Sequence, residues 1–138
     1  RGLHPARGGP PPPAGRGAAR VGGGRGPPPP PRPVLAQLPD ALDTGGTLSV
    51  TQVAALMGQC TLFIGNDSGL MHLAAASGIP TLGLFGRSRA SEYAPCGPWA
   101  RAVVAPGPEG EAPMEGLHVE QVAQAAQALL RQWRERKR

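Results

Sequence analysis

Thr61-Leu62-Phe63-Ile64-Gly65-Asn66-Asp67-Ser68-Gly69-Leu70-Met71-His72-Leu73-Ala74-Ala75-Ala76-Ser77-Gly78-Ile79-Pro80-Thr81-Leu82-Gly83-Leu84-Phe85-Gly86 is the stretch that decides the fold. Leu62, Phe63 and Ile64 form an apolar run with no polar alternation, and so do residues 82–85. That pattern suits strands buried on both faces of a parallel sheet. Between the runs lies a helix of about three turns. Gly78 is expected as the left-handed residue just past its end, and Pro80 cannot continue a helix but is tolerated as the first residue of a strand. The stretch therefore reads as a βαβ unit with a right-handed crossover, whose ligands sit beyond the carboxyl ends of the strands, at residues 65–69 and 85–88.

Working outward, Ser49 with Gln52 three positions on forms a capping box, and Leu48 with Val53 a hydrophobic staple. Val53, Leu56 and Met57 give the helix one apolar face, and Gly58 is its expected terminator. Further upstream, residues 34–38 followed by Pro39-Asp40-Ala41-Leu42-Asp43 suggest a short strand ending in the turn Thr44-Gly45-Gly46. Downstream, residues 87–99 read as a loop, Arg101-Ala102-Val103-Val104-Ala105 as a fourth strand, and residues 106–116 as a second loop. Val119, Val122, Ala123, Ala126, Leu129, Leu130 and Trp133 recur at helical spacing and mark the last helix. Its basic end, residues 131–138, complements the negative helix terminus. Four candidate parallel strands and three helices amount to an α/β fold, a partial doubly wound, Rossmann-like sheet that calls for further strands upstream.

The composition divides the chain unevenly. Residues 1–33 hold 9 Gly and 11 Pro with six Arg and no acid, whereas residues 34–130 carry three Arg against eight Asp and Glu, so the overall charge of +5 hides an acidic body. The front segment is expected to be disordered, with the folded domain spanning residues 34–138. A basic front can attract nucleic acid or a membrane surface by charge alone. With no aromatic residue to stack a base and no apolar face for a bilayer, it argues against a nucleic-acid partner and allows at most peripheral membrane contact. Its proline runs also fit polyproline II ligands. The opening Arg1 in place of Met is what a fragment, a processed product or a leading segment read in the wrong frame would give. Cys60 and Cys96 are too few for a metal site or a disulfide framework and read as free thiols. No run of about 18 apolar residues marks a membrane span.

Chemistry is expected where the turn Gly65-Asn66-Asp67-Ser68-Gly69 enters the helix. The free N–H groups of Ser68, Gly69 and Leu70, backed by the helix dipole, make an anion pocket. Gly69 permits close backbone approach, Ser68 adds a hydroxyl, and His72 lies one turn up on the same face. Asp67 admits two readings. As a plain N-cap it would occupy those amides itself; alternatively its carboxylate turns away from a bound phosphate toward a neutral, hydroxyl-rich group such as a sugar. Likewise, His72 on its own fits a helix histidine bonded to a neighbouring carbonyl.

The string Asn66-Asp67-Ser68-Gly69-Leu70-Met71-His72-Leu73-Ala74-Ala75-Ala76, with Gly78-Ile79-Pro80-Thr81 and Leu84-Phe85-Gly86 after it, resembles the signature of glycosyltransferase family 9, the ADP-heptose:lipopolysaccharide heptosyltransferases. Asp43-Thr44-Gly45-Gly46-Thr47-Leu48-Ser49 resembles the family's short strand and turn before a helix. The resemblance implies the carboxyl-terminal, donor-binding half of a GT-B fold and a metal-independent, cofactor-free transfer of a sugar from a nucleotide-diphosphate donor, ADP-heptose or similar, to a lipopolysaccharide core or related glycan. It further implies that Ser68 and Gly69, with Leu70, hold the diphosphate, that His72 supports phosphates or sugar, and that Asp67 faces the sugar. The general base belongs to the family's amino-terminal domain and has no counterpart here, so no catalytic residue is assigned.

Two departures stand out. The family's lysine and glutamate of the first strand and helix of the donor domain fall where this chain has Pro/Gly/Arg sequence, and its usual Gly-Pro-Thr turn is here Gly86-Arg87-Ser88. Arg87 is either a compensating phosphate contact or a surface residue. The expected location is cytoplasmic, extending to the inner face of the cytoplasmic membrane. The competing reading is a truncated or frame-disrupted, non-catalytic remnant that at most binds nucleotide diphosphates. A third makes residues 1–33 a basic adaptor.

Overall fold

The computed structural model describes residues 19–20, 37, 41–44 and 46–138. The chain falls into two compact units, Arg1–Thr47 and Leu48–Arg138. In the first, β1 (Ala19–Arg20) pairs in parallel with β2 (Leu42–Asp43), Ala19 opposite Leu42 and Arg20 opposite Asp43. The Thr47 amide and hydroxyl both donate to the Thr44 carbonyl, at 3.1 and 3.0 Å, and close the turn that follows. The strand expected upstream of this turn is thus confined to Leu42–Asp43 among the described residues, and Gln37, in the stretch read as extended, is helical. Ala19 and Arg20 lie in the segment read as disordered yet form a ladder, a long-range pairing that local composition does not signal. The rest of that segment lies outside the described residues.

The second unit runs α1 (Val50–Met57), β3 (Phe63–Asn66), α2 (Gly69–Ala76), β4 (Thr81–Phe85), α3 (Ala90–Tyr93), β5 (Ala100–Val104), a 3₁₀ turn (Met114–Gly116) and α4 (Val119–Arg136). Its sheet has the order β3-β4-β5, all parallel, with Phe63 beside Thr81 and Thr81 beside Ala100. Among the described residues three strands form this sheet where four were expected, and Leu42–Asp43 pairs with Ala19–Arg20.

Local chemistry explains the helix ends. Ser49 and Gln52 close the capping box of α1, with the Gln52 amide donating to Ser49 Oγ at 3.3 Å and the Ser49 amide to Gln52 Oε1 at 2.9 Å. Gly58 ends α1 while staying in the right-handed region. Gly78, at φ +77°, takes the left-handed conformation that lets the chain turn out of α2 toward Pro80 and β4.

Alternation along β4 assigns the two faces of the sheet. Thr81, Gly83 and Phe85 face α2, which packs on β3 and β4 and carries α1 beside it. Leu82 faces the other way, where it joins Val103 of β5 and Ala126 of α4, flanked by Leu62, Leu84, Leu117, Val122 and Ala125. Helices therefore cover both faces, the doubly wound arrangement. Ile64 departs from the expected two-sided burial and is 46% exposed, whereas Leu62 two residues before it packs against the Leu82, Val103 and Ala126 cluster. The apolar stripe of α4 is also narrower than its spacing suggests. Ala126 and Leu129 are buried, while Val119 and Ala123 are exposed.

Both segments read as loops contain a short helical turn, α3 in the first and the 3₁₀ turn in the second. Cys60 and Cys96 are free thiols; burial pushes the Cys60 thiol up, and it donates to the Leu56 carbonyl at 3.4 Å. Among the described residues no helix is long and apolar enough to cross a membrane.

Gly83 is the tightest point of the sheet. A Cβ there would lie 2.5 Å from Met71 Sδ, 2.9 Å from Phe85 Cε2 and 3.2 Å from Pro95 Cδ. All three neighbours are buried, so none can simply move into solvent. Gly83→Ala is expected to cost about 1–3 kcal/mol, read as a lower urea midpoint at unchanged slope. An unchanged midpoint would mean that α2 does not rest on the sheet at this residue.

Candidate functional site

The parallel register that puts Gly65 beside Gly83 and Asn66 beside Leu84 brings the ends of β3 and β4 together at the carboxyl edge of the sheet. From β3 the chain passes through Asp67 to Ser68, whose extended backbone makes it the N-cap of α2. The Ser68 carbonyl accepts from the amides of Met71 at 3.1 Å and His72 at 3.4 Å, and Ser68 Oγ accepts from the Met71 amide at 3.4 Å. The amides of Gly69 and Leu70 meet no acceptor among the described residues. A Cβ added to Gly69 would find nothing within 4 Å, so the space before these amides is open.

Asp67 does not cap the helix. Its carboxylate accepts a hydrogen bond from the hydroxyl of Ser88, which lies 21 residues on, just past β4. The N-cap reading of Asp67 is therefore not met, and the Gly69 and Leu70 amides stay uncovered by described residues; the sugar-facing reading is a matter for a bound ligand. A carboxylate is the natural ligand of a helix N-terminus, and about 1 kcal/mol favours it there. The Ser88 hydroxyl supplies a competing partner from the neighbouring strand end.

The remaining sequence-derived residues sit around the same edge. His72 is exposed, and its ring meets no hydrogen-bond partner among the described residues. Leu70 is half-buried. Arg87 is exposed and has no acidic partner among them. The Arg87-Ser88 turn is fixed from below at Gly86, where an added Cβ would come within 2.9 Å of the Met114 backbone nitrogen. Only glycine lets the two loops touch there.

A second tie joins those loops. Glu109 Oε1 accepts from the Ser91 amide at 2.7 Å and so caps α3, which has no cap from its own Arg89. Arg89 pairs with Glu92 at 2.9 Å. The Ser91 backbone and side-chain hydrogen bonds, with Arg89 nearby, hold the Glu109 carboxyl below the usual glutamate range. Sequence reading placed Gly86 and Ser88 at the ligand-facing strand end without their contacts, and it did not single out Glu109. Ser88 fell within the stretch expected to face a ligand, but its pairing with Asp67 emerges only once the strands are side by side.

Chemically, this edge offers two open amides at a positive helix end, a hydroxyl, an imidazole and a guanidinium, which suits a multiply charged anion, and one carboxylate held aside. Among the described residues no group of three or more His, Cys, Asp or Glu converges as a metal-ligand set. A cleft of about 750 Å³ lined by Pro98, Trp99, Arg101, Gln132, Glu135 and Arg136 opens at the start of β5, at the opposite edge of the sheet from these amides.

The family model of glycosyltransferase family 9 (heptosyltransferase) matches residues 35–120. Among solved structures, the glycosyl transferase family 9 protein from Veillonella parvula DSM 2008 is similar, with 30% sequence identity and a TM-score of 0.59 over 72% of this chain. The chain spans 33% of that protein's length. No curated protein matches it.

The Glu109 tie gives a pH signature. Because its carboxyl titrates lower when folded than when free, the tie adds stability above the ordinary glutamate range and loses it as pH falls through the lowered value. Denaturant midpoints measured across the acid range should show a small fall in the parent chain that is absent in Glu109→Gln. Identical profiles would mean that the two loops are not joined through this carboxylate.

Proposed function

The chain belongs to glycosyltransferase family 9, and from that footing we propose that its second unit is the donor-binding part of a GT-B enzyme that moves a sugar from a nucleotide-diphosphate donor to an envelope glycan. The observation that carries this reading is the pair of open amides at Gly69 and Leu70 with the Asp67 carboxylate bound away at Ser88. The donor's diphosphate would sit on those amides, with the Ser68 hydroxyl and His72 imidazole as further donors and Arg87 within the same edge. Asp67, repelled by phosphate, would face the sugar hydroxyls. ADP-heptose or a similar nucleotide sugar is the donor proposed, and a lipopolysaccharide core or related glycan the acceptor, met at the inner face of the cytoplasmic membrane.

The reaction proposed is an inverting displacement. The acceptor hydroxyl attacks the anomeric carbon, the bond to the diphosphate breaks, and the developing charge on the leaving group is stabilised by the helix terminus and its hydroxyl and imidazole neighbours. In this scheme neither metal nor cofactor takes part. A basic residue outside this chain's matched positions would accept the hydroxyl's proton. The alternative is a non-catalytic chain that at most binds nucleotide diphosphates.

Calorimetric titration of the full chain with ADP and with ADP-heptose separates the readings. Gly69→Ala is expected to leave the fold intact, as its Cβ enters open space, and to weaken ADP binding about tenfold by intruding on the phosphate. His72→Ala should weaken both ligands by a similar factor. Asp67→Ala should keep ADP binding and lose any preference for the ADP-sugar over ADP. Heat absent for both ligands with the parent chain would leave the non-catalytic reading standing.

A further inference from the structure

We infer that Ser88 is a positioning residue that keeps the helix terminus available by holding the Asp67 carboxylate away from it. This rests on the donor-binding reading for its purpose but not for its physics. Asp67 directly precedes the N-cap residue, its carboxylate is a stronger acceptor for first-turn amides than any neutral group nearby, and the Gly69 and Leu70 amides are free. Without another partner the carboxylate gains by swinging onto them. The Ser88 hydroxyl is the partner it has.

The geometry shows how the arrangement is enforced. Ser88 stands next to Asp67 because β3 and β4 run parallel in register, and the turn carrying it cannot drift because Gly86 is pressed against the Met114 backbone. Ser68 fills the capping role in Asp67's place, so α2 keeps its N-cap while two amides remain unspent. A serine at this position thus acts on anion binding without touching the anion. Of the other charged or titratable groups at this edge, His72 and Arg87 are exposed and neither bonds the Asp67 carboxylate, while Arg89 pairs with Glu92 and Glu109 with the Ser91 amide.

The latch makes an unusual prediction: removing one hydroxyl should tighten the helix and weaken the ligand together. In Ser88→Ala the carboxylate moves to the helix terminus. Hydrogen exchange at the Gly69 and Leu70 amides should then slow, and ADP binding should fall about five- to tenfold. In Ser88→Ala/Asp67→Ala exchange should become fast again, and ADP binding should return to that of Asp67→Ala alone. Ser88→Thr, which keeps the hydroxyl, should match the parent. A purely structural or ligand-contacting role for Ser88 predicts no such recovery in the double variant.

Unchanged exchange at both amides in Ser88→Ala overturns the inference whatever ADP does. So does a double variant that stays as weak as Ser88→Ala. If the exchange pattern appears but the parent chain binds no ADP, the latch holds and the donor-binding reading is the part that fails.

Discussion

Met71 occupies the volume that a side chain on Gly83 would need, and the rest of the second unit follows from that contact. A helix laid on a parallel sheet can rotate or slide unless something indexes it. Here the index is a buried thioether seated over a bare α-carbon in the central strand, with Phe85 and Pro95 closing the sides. With Met71 fixed, Ala74 one turn on is buried too, and the start of α2 is set at the carboxyl edge, between the ends of β3 and β4. The open amides are thus held by core packing and not by loop conformation. Such placement is what a preorganised anion site requires, because dipoles that need no rearrangement cost nothing to align when charge arrives.

Open amides are stable only under particular conditions. Buried and unpaired they would each cost about 1–3 kcal/mol, but Gly69 is exposed, so its amide is open to solvent. The greater threat is internal, since a carboxylate one residue before the N-cap is well placed to fill the site. The fold answers with a second strand end that offers a hydroxyl, and with a glycine, Gly86, that lets that strand end be braced by the loop after β5. Glu109 draws the same loop onto α3. Each of these ties runs between segments following different strands, so the carboxyl edge behaves as one braced surface.

The core of this arrangement was legible in the sequence. Residues 61–86 specify strand, helix and strand by an apolar run, a polar turn, a helical glycine stop and a second apolar run, and the ladder and helix lie where that pattern puts them. The capping box at Ser49 was readable because its two hydrogen bonds are local. What escaped was long-range. No local rule links Asp67 to Ser88 across 21 positions, or seats Glu109 on Ser91 across 18. The single turn of α3 was lost among polar residues because its N-terminal cap comes from another loop. Ile64 looked buried because an apolar run cannot reveal which of its positions the fold leaves open. Ala19 and Arg20, set among glycines and prolines, pair through a contact that composition has no means to announce.

Stereochemistry limits what the groups at this edge could do in the proposed reaction. In an inverting displacement the incoming oxygen and the departing diphosphate lie on opposite sides of the anomeric carbon. An element that grips the leaving group with its amides cannot also reach behind the carbon to take the acceptor's proton. The groups around the start of α2, amides, hydroxyl, imidazole and guanidinium, are suited to stabilising anionic charge, and the Asp67 carboxylate is bound by Ser88. In the proposed reaction the base would therefore approach from the far side of the anomeric carbon, across the donor from these amides. On that geometry, the braced carboxyl edge of this sheet would form the leaving-group wall of the proposed site.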